Sequence, residues 1–302
     1  MTKGLKTYVE YFSAKFLLEL FGRMPKRIAY RAAGIVAWLG FHLAKRQRNV
    51  GLHNLAMVFP NLGAEERTAI LRGSFSNLGR LLVEFSHFRQ LKASNIAQLV
   101  RYEGYEHFEN ALNRGNGVLF LTAHIGAWEL SSFAHSIYGH PMKFLVREID
   151  NPLVEELISS YRCLGGNVPI VRQNSARGIL KTLRANETIG ILVDQNTLDG
   201  VFVDFLGIPA ATTPSVATLA LRTGATVIPG FLIWDAVEQI HRLCFEPPIE
   251  LVETADLADS IVENTRLFNQ VVERYVKKYP EQWLWIHRRW KTRPPGEPPI
   301  YG

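Results

Sequence analysis

Residues Gly117–Leu130 read GVLFLTAHIGAWEL. The first seven are an apolar run of strand length, Gly117 to Ala123, with no charge to mark a solvent face. Such runs suit strands buried on both faces. The run stops at His124, and Gly126 allows a tight turn. From Ala127 the pattern becomes helical, with Glu129 placed for a first turn. Strand, polar turn and helix in this order form the opening of a β-α unit.

The same texture recurs on both sides. Candidate strands are Met142–Arg147, Thr188–Asp194 (TIGILVD), Thr226–Ile233 (TVIPGFLI) and His241–Phe245. Candidate helices are Ala127–Tyr138, Pro152–Leu164, Ala176–Asn186, Pro214–Gly224 and Ser260–Lys278. Alternation of this kind predicts an α/β sandwich, a mixed but largely parallel sheet flanked by helices. In such sheets polar residues just beyond strand C-termini are the first site candidates. Upstream, Val50–Leu91 reads as consecutive helices punctuated at Pro60–Gly63, with Glu65 and Glu66 in a first turn.

The N-terminal segment differs. Tyr8–Phe21 is amphipathic and rich in aromatics, and Met24 and Pro25 break it. Ile28–Ala44 reads IAYRAAGIVAWLGFHLA, flanked by Lys26, Arg27, Lys45, Arg46 and Arg48. As a helix, Ala32–Ala44 covers roughly 20 Å. A bilayer core needs about 30 Å. The segment therefore predicts helices lying in a membrane interface, with basic side chains on anionic head groups, rather than a full span. A buried core helix with solvated ends is the plainer alternative. Residues 1–48 are assigned to this anchor and 49–302 to one further domain.

Composition bounds the remaining classes. The chain has 302 residues, 47% apolar and 21% charged, enough for a full core. The formal charge of +6 permits an anionic partner without choosing one. Two cysteines, Cys163 and Cys244, exclude a disulfide scaffold and a cysteine-based zinc site. No uncharged apolar run reaches about 18 residues, which excludes a polytopic membrane protein. P-loop, GxGxxG, GxSxG and HExxH patterns are all missing.

Four constellations carry chemistry. His124 and Glu129 are five apart, about 140° on one helix, and converge only if His124 sits in the loop and Glu129 in the helix. A carboxylate on one imidazole nitrogen would then leave the other free to take a proton. Asp194-Gln195-Asn196 ends the strand TIGILVD on the same rim, where a turn or cap is the plainer reading. Arg147, Arg162, Arg172 and Arg177 suit phosphate, or are simply solvated. Glu281–Pro294, EQWLWIHRRWKTRP, interleaves aromatic and basic residues, which fits a membrane interface or nucleic acid, or a half-buried amphipathic segment.

These pieces in this order resemble the bacterial lipid A late acyltransferases, within the wider lysophospholipid and glycerolipid acyltransferase superfamily. The resemblance rests on HIGAWE, REIDNP, an arginine 38 positions after His124, DQN after a strand, VFVDFLGIPAATTPS and PEQWLWIHRRWKTRP. It covers nearly the whole chain, including the basic apolar N-terminus. It implies transfer of a fatty acyl group from an acyl thioester, usually of acyl carrier protein, to a lipid hydroxyl. It implies His124 as general base with Glu129 orienting it, and no acyl-enzyme. By position, Arg162 is implied to assist the oxyanion or an acceptor phosphate, and Asp194 fills the family's acidic position. Arg147, Arg162, Arg172, Asp194 and Gln195 are the substrate-binding candidates. No metal, organic cofactor or nucleic acid is implied. The implied place is the cytoplasmic face of a bacterial inner membrane. Asn196, Asp204 and Pro214–Val216 depart from the family pattern and bear on the acceptor. The rivals are a lysophospholipid or other glycolipid acyltransferase using acyl-CoA, and a non-enzymatic membrane- or nucleic-acid-binding module.

Overall fold

A computed structural model describes residues 4–146, 148–171 and 175–301. Four helices open the chain: α1 (Leu5–Arg23), α2 (Lys26–Leu43), α3 (Lys45–Val58) and α4 (Ala64–Ser86). The Glu66 carboxylate accepts the Gly63 N–H at the start of α4, satisfying a donor that the helix itself leaves open. Alternating elements follow: β1 (Val100–Glu103), α5 (Tyr105–Leu112), β2 (Val118–Thr122), α6 (Trp128–Ile137), β3 (Lys143–Val146) and α7 (Pro152–Arg162). Then come β4 (Val168–Val171), α8 (Ser175–Arg184), β5 (Thr188–Leu192), the hairpin β6 (Val201–Phe205) and β7 (Ile208–Thr212), and α9 (Ser215–Thr223). The antiparallel pair β8 (Thr226–Asp235) and β9 (Ile240–Phe245) and the long α10 (Leu257–Lys278) complete the elements.

The main sheet runs β1-β9-β8-β2-β5-β3-β4. Only β8 and β9 pair antiparallel within it; the other neighbours are parallel. This is the mixed, largely parallel sheet expected from the sequence. Leu119 and Leu121 of β2 point into one core with α9 and α10, and Val118 and Phe120 into the other with α5 and α6. Each such side chain contributes about 1.5–3 kcal/mol by leaving water. The β2–β5 register, with Thr122 opposite Leu192, sets residues 124 and 194 side by side just past the strand ends.

The N-terminal helices pack on α4. Ala29, Ala33, Ala37 and Phe41 form the buried stripe of α2. A Cβ at Gly79 of α4 would meet the Ala33 carbonyl oxygen at 2.9 Å, so a glycine there lets the two helices touch. The opposite faces of α1 and α2 carry apolar side chains in the open: Leu5, Val9, Phe12 and Phe16 on α1, and Ile35, Trp38 and Leu43 on α2. Among the described residues no helix is long and apolar enough to cross a membrane. A spanning anchor therefore has no support.

Candidate active site

The loop after β2 is held from several sides. Gly126 has φ +61°, and a Cβ there would lie 1.9 Å from the Leu232 carbonyl oxygen, so only glycine fits. Its N–H donates to the Gln282 carbonyl, and its own carbonyl accepts from the Asn77 amide. The His124 carbonyl accepts from the Leu284 N–H. The His124 side chain is therefore presented on a fixed backbone at the rim of the sheet, 18% exposed.

The carboxylate on its imidazole belongs to Asp194. Oδ1 of Asp194 accepts from His124 Nδ1 at 2.8 Å, and Oδ2 accepts the His124 backbone N–H at 2.9 Å and the Trp283 indole N–H at 2.8 Å. Burial alone would push this carboxyl up. Attraction to the His124 ring, with the hydrogen bonds from His124 and Trp283, outweighs burial and holds it at about 2. An ionised Asp194 makes Nδ1 the protonated nitrogen and leaves the Nε2 lone pair outward. The Gln195 side-chain amide sits 3.0 Å from that Nε2.

The partnership expected between His124 and Glu129 is corrected by this geometry. Glu129 stands in the first turn of α6, as predicted, but its carboxylate is taken by Arg162 from the end of α7. Arg162 Nε donates at 2.9 Å and Nη2 at 2.5 Å, a bidentate pair. Burial would lower the Arg162 pKa, and the hydrogen bond and charge of Glu129 more than reverse it. Asp194, read from sequence as substrate-binding, is buried, with its oxygens hydrogen-bonded to His124 and Trp283. His124, Glu129, Arg162 and Gln195 do converge on one cavity of about 340 Å³. Arg147 and Arg172 lie outside the described residues, and Arg177 is exposed on α8.

The C-terminal block corrects a second expectation. Trp283, Trp285 and Trp290 are buried in the core rather than presented to a membrane or nucleic acid. Ser74 and Asn54 bind the carbonyls of Trp283, Trp285 and His287, tying the segment to α3 and α4. The segment in turn grips the loop after β5. His287 Nε2 accepts the Asn196 N–H at 3.0 Å, and Thr292 exchanges two hydrogen bonds with the Asn196 side chain. Burial drives the His287 pKa down to about 4, so the ring stays neutral and can accept. Arg289 is buried, donating to the Ala211 carbonyl at 2.7 Å and to Thr212 Oγ1 at 2.6 Å. Burial lowers its pKa to about 10, still high enough to keep the charge that faces Asp194. Sequence reasoning missed Trp283, His287 and Arg289 as supports of the site. The available signal was three tryptophans within eight residues, more apolar area than a surface segment usually shows.

A histidine at a strand end, oriented by a buried carboxylate and opening onto a mainly apolar cavity, can activate a hydroxyl. Among the described residues no serine or cysteine is bonded to its Nε2, which faces the Gln195 amide. Residues 3–292 match the family model of the bacterial lipid A biosynthesis acyltransferases. The chain belongs to that family. It is similar to the lipid A biosynthesis acyltransferase of Haemophilus influenzae, 27% identical over 93% of this chain and 87% of the relative. It is also similar to two Escherichia coli proteins. The lipid A biosynthesis lauroyltransferase is 27% identical over 94% of this chain and 92% of its own length. The palmitoleoyltransferase is 28% identical over 85% and 83%. This family member is an acyltransferase acting in lipid A biosynthesis.

Proposed function

We propose that this acyltransferase moves a fatty acyl group from an acyl carrier protein thioester to a hydroxyl of a lipid A precursor, with His124 as general base. The observation that carries the reading is the Asp194–His124 pair, with Nε2 facing the cavity through Gln195. The acceptor hydroxyl takes the place of the Gln195 amide on Nε2. Nε2 removes the hydroxyl proton as its oxygen attacks the thioester carbonyl carbon. The tetrahedral intermediate collapses, the C–S bond breaks, and the thiolate leaves with the proton from the imidazolium. Asp194 stabilises that imidazolium and stays ionised throughout. Arg162 keeps N–H donors beyond the two that Glu129 uses, and these serve an acceptor phosphate or the oxyanion.

Residues 1–48 serve in this reading as the membrane-docking segment, and 49–302 as the acyltransferase part. The open apolar faces of α1 and α2, next to Arg27, Arg31 and Lys45, support a helix pair lying in an anionic lipid interface. Asn151, the cap of α7, donates to the Thr7 carbonyl and to Glu10 of α1, and the neighbouring Ile149 lines the cavity. The docking helix thus adjoins the cavity, as a lipid acceptor drawn from the bilayer requires. Acyl carrier protein is a cytoplasmic carrier, which assigns the enzyme to the cytoplasmic face of the inner membrane.

The test is transfer of a labelled acyl group to a tetra-acylated lipid A precursor in vesicles, from the carrier-protein thioester and from the coenzyme A thioester. Faster transfer from the carrier protein is expected. Transfer from coenzyme A alone, or only to a lysophospholipid, contradicts the donor or the acceptor.

A further inference from the structure

The cavity under His124 continues as a groove between the sheet and α6. Thr122 and Phe120 of β2 and Leu192 and Gly190 of β5 line one wall, two residues apart on the same face of each strand. A Cβ at Gly190 would meet Met142 Cε at 2.9 Å, so the glycine keeps this stretch open. Trp128, Ser131 and His135 line the other wall along α6. From His124 to Phe120 is about 13 Å along the strand. From Trp128 to His135 is about 10 Å along the helix.

The groove ends on rings. The His135 ring centroid lies 5.2 Å from that of Phe120, 5.7 Å from Phe245 and 4.7 Å from Phe108. Phe120 and Phe245, which also line the cavity, stack on each other at 5.0 Å. Nδ1 of His135 is hydrogen-bonded to the Tyr102 hydroxyl at 2.7 Å, which fixes the ring's rotation. His140 stacks on the ring at 5.2 Å and is itself bonded to Tyr105 at 2.5 Å. A floor of interlocked rings yields far less than one of flexible aliphatic chains.

We propose that His135 is the residue that sets the length of the acyl chain this enzyme accepts, as the fixed floor of the donor groove. The proposal deepens the acyl-transfer reading and rests on it for the identity of the chain. A chain that reaches the His135 ring fills the groove, and further methylenes have nowhere to go. Discrimination by one methylene is worth on the order of 10-fold or more in such a pocket. Ser131 stands one helical turn nearer the mouth on the same face, so a larger side chain there raises the floor.

The experiment measures binding of free fatty acids of graded length to the full-length protein in detergent, and in parallel transfer from thioesters of the same lengths. The wild type is compared with His135→Ala and Ser131→Leu. Wild type is expected to show a sharp length cut-off. His135→Ala should move it to longer chains, raising affinity for the first excluded length by about tenfold or more. Ser131→Leu should move it to shorter chains. An unchanged cut-off in the variants overturns the proposal, whether or not transfer occurs. If His135→Ala does not fold, Ser131→Leu decides alone, and an unchanged cut-off or equal loss for all lengths overturns it. Shifted binding cut-offs without wild-type transfer from any thioester would instead overturn acyl transfer and leave the floor standing.

Discussion

The two ends of this chain look alike as sequence and behave oppositely as structure. Residues 28–44 and 281–294 both mix aromatic and basic residues, and both suggest a lipid-facing surface. In the structure Trp38 of α2 is 60% exposed, whereas Trp285 is 0% exposed. The difference lies in the polar atoms. The Trp283 indole N–H reaches Asp194, the Trp285 indole N–H reaches the Pro280 carbonyl, and Arg289 finds Ala211 and Thr212. A buried aromatic–basic segment is stable only when such partners exist. The N-terminal helices bury Ala29, Ala33, Ala37 and Phe41 of α2 against α4 and leave Phe12, Phe16, Ile35 and Trp38 without cover. One end packs behind the candidate site, and the other leaves an open apolar face.

That contrast can be broken at either end, and the largest effect belongs to the core. Trp285→Ala should destabilise the protein by about 3–5 kcal/mol. Trp38→Ala should stay within about 0.5 kcal/mol in detergent. Chemical denaturation of both variants checks this, and equal losses would erase the distinction. Vesicle binding should reverse the order. Phe12→Asp with Phe16→Asp removes two side chains from the open face of α1, each worth about 1.5–3 kcal/mol when buried in lipid. Flotation with anionic vesicles should fall on the order of 100-fold for this variant, while folded Trp283→Phe should float like wild type.

Trp283→Phe sharpens the comparison at the site. It leaves Asp194 Oδ2 short of a donor, a loss of about 1–3 kcal/mol. Turnover should fall on the order of tenfold with vesicle binding unchanged. The smallest effect is a pH slope. His287 is held neutral by burial, with its pKa near 4 against 6.5 for the free side chain. Unfolded chains therefore bind the extra proton first, and stability falls as pH drops from 6.5 towards 4, by at most about 1.4 kcal/mol per pH unit. His287→Gln keeps an acceptor for the Asn196 N–H without titrating. Its unfolding free energy should depend less on pH across that window, and an unchanged slope would show that His287 does not contribute.

The fold was legible where burial leaves a plain mark. All but the last residue of β2 are buried, as are the first four of β5, and both read as continuous apolar runs. β4 was not found. It is an edge strand of four residues containing Pro169, tolerated there because the outer side needs no pairing. The β6–β7 hairpin was also missed. Its turn is Leu206-Gly207, at φ +55° and +80°, where the usual sequence signal is Asn-Gly. At the site, strand-end position marks His124 and Gln195 as candidates, and the roles expected of them come from the family resemblance. The Asp194–His124 bond spans 70 residues of sequence and follows from the β2–β5 register, which composition does not encode. The pairing of Glu129 with Arg162 depends on how α6 meets α7, again a tertiary fact.

The central claim is that the histidine held by Asp194 removes the acceptor proton. Single-turnover acyl transfer from the carrier-protein thioester to the lipid A precursor, wild type beside His124→Ala, tests it most directly. The account predicts transfer by wild type and a loss of about 10²–10⁴-fold in the variant, with vesicle binding intact. Equal rates for the two proteins would contradict it.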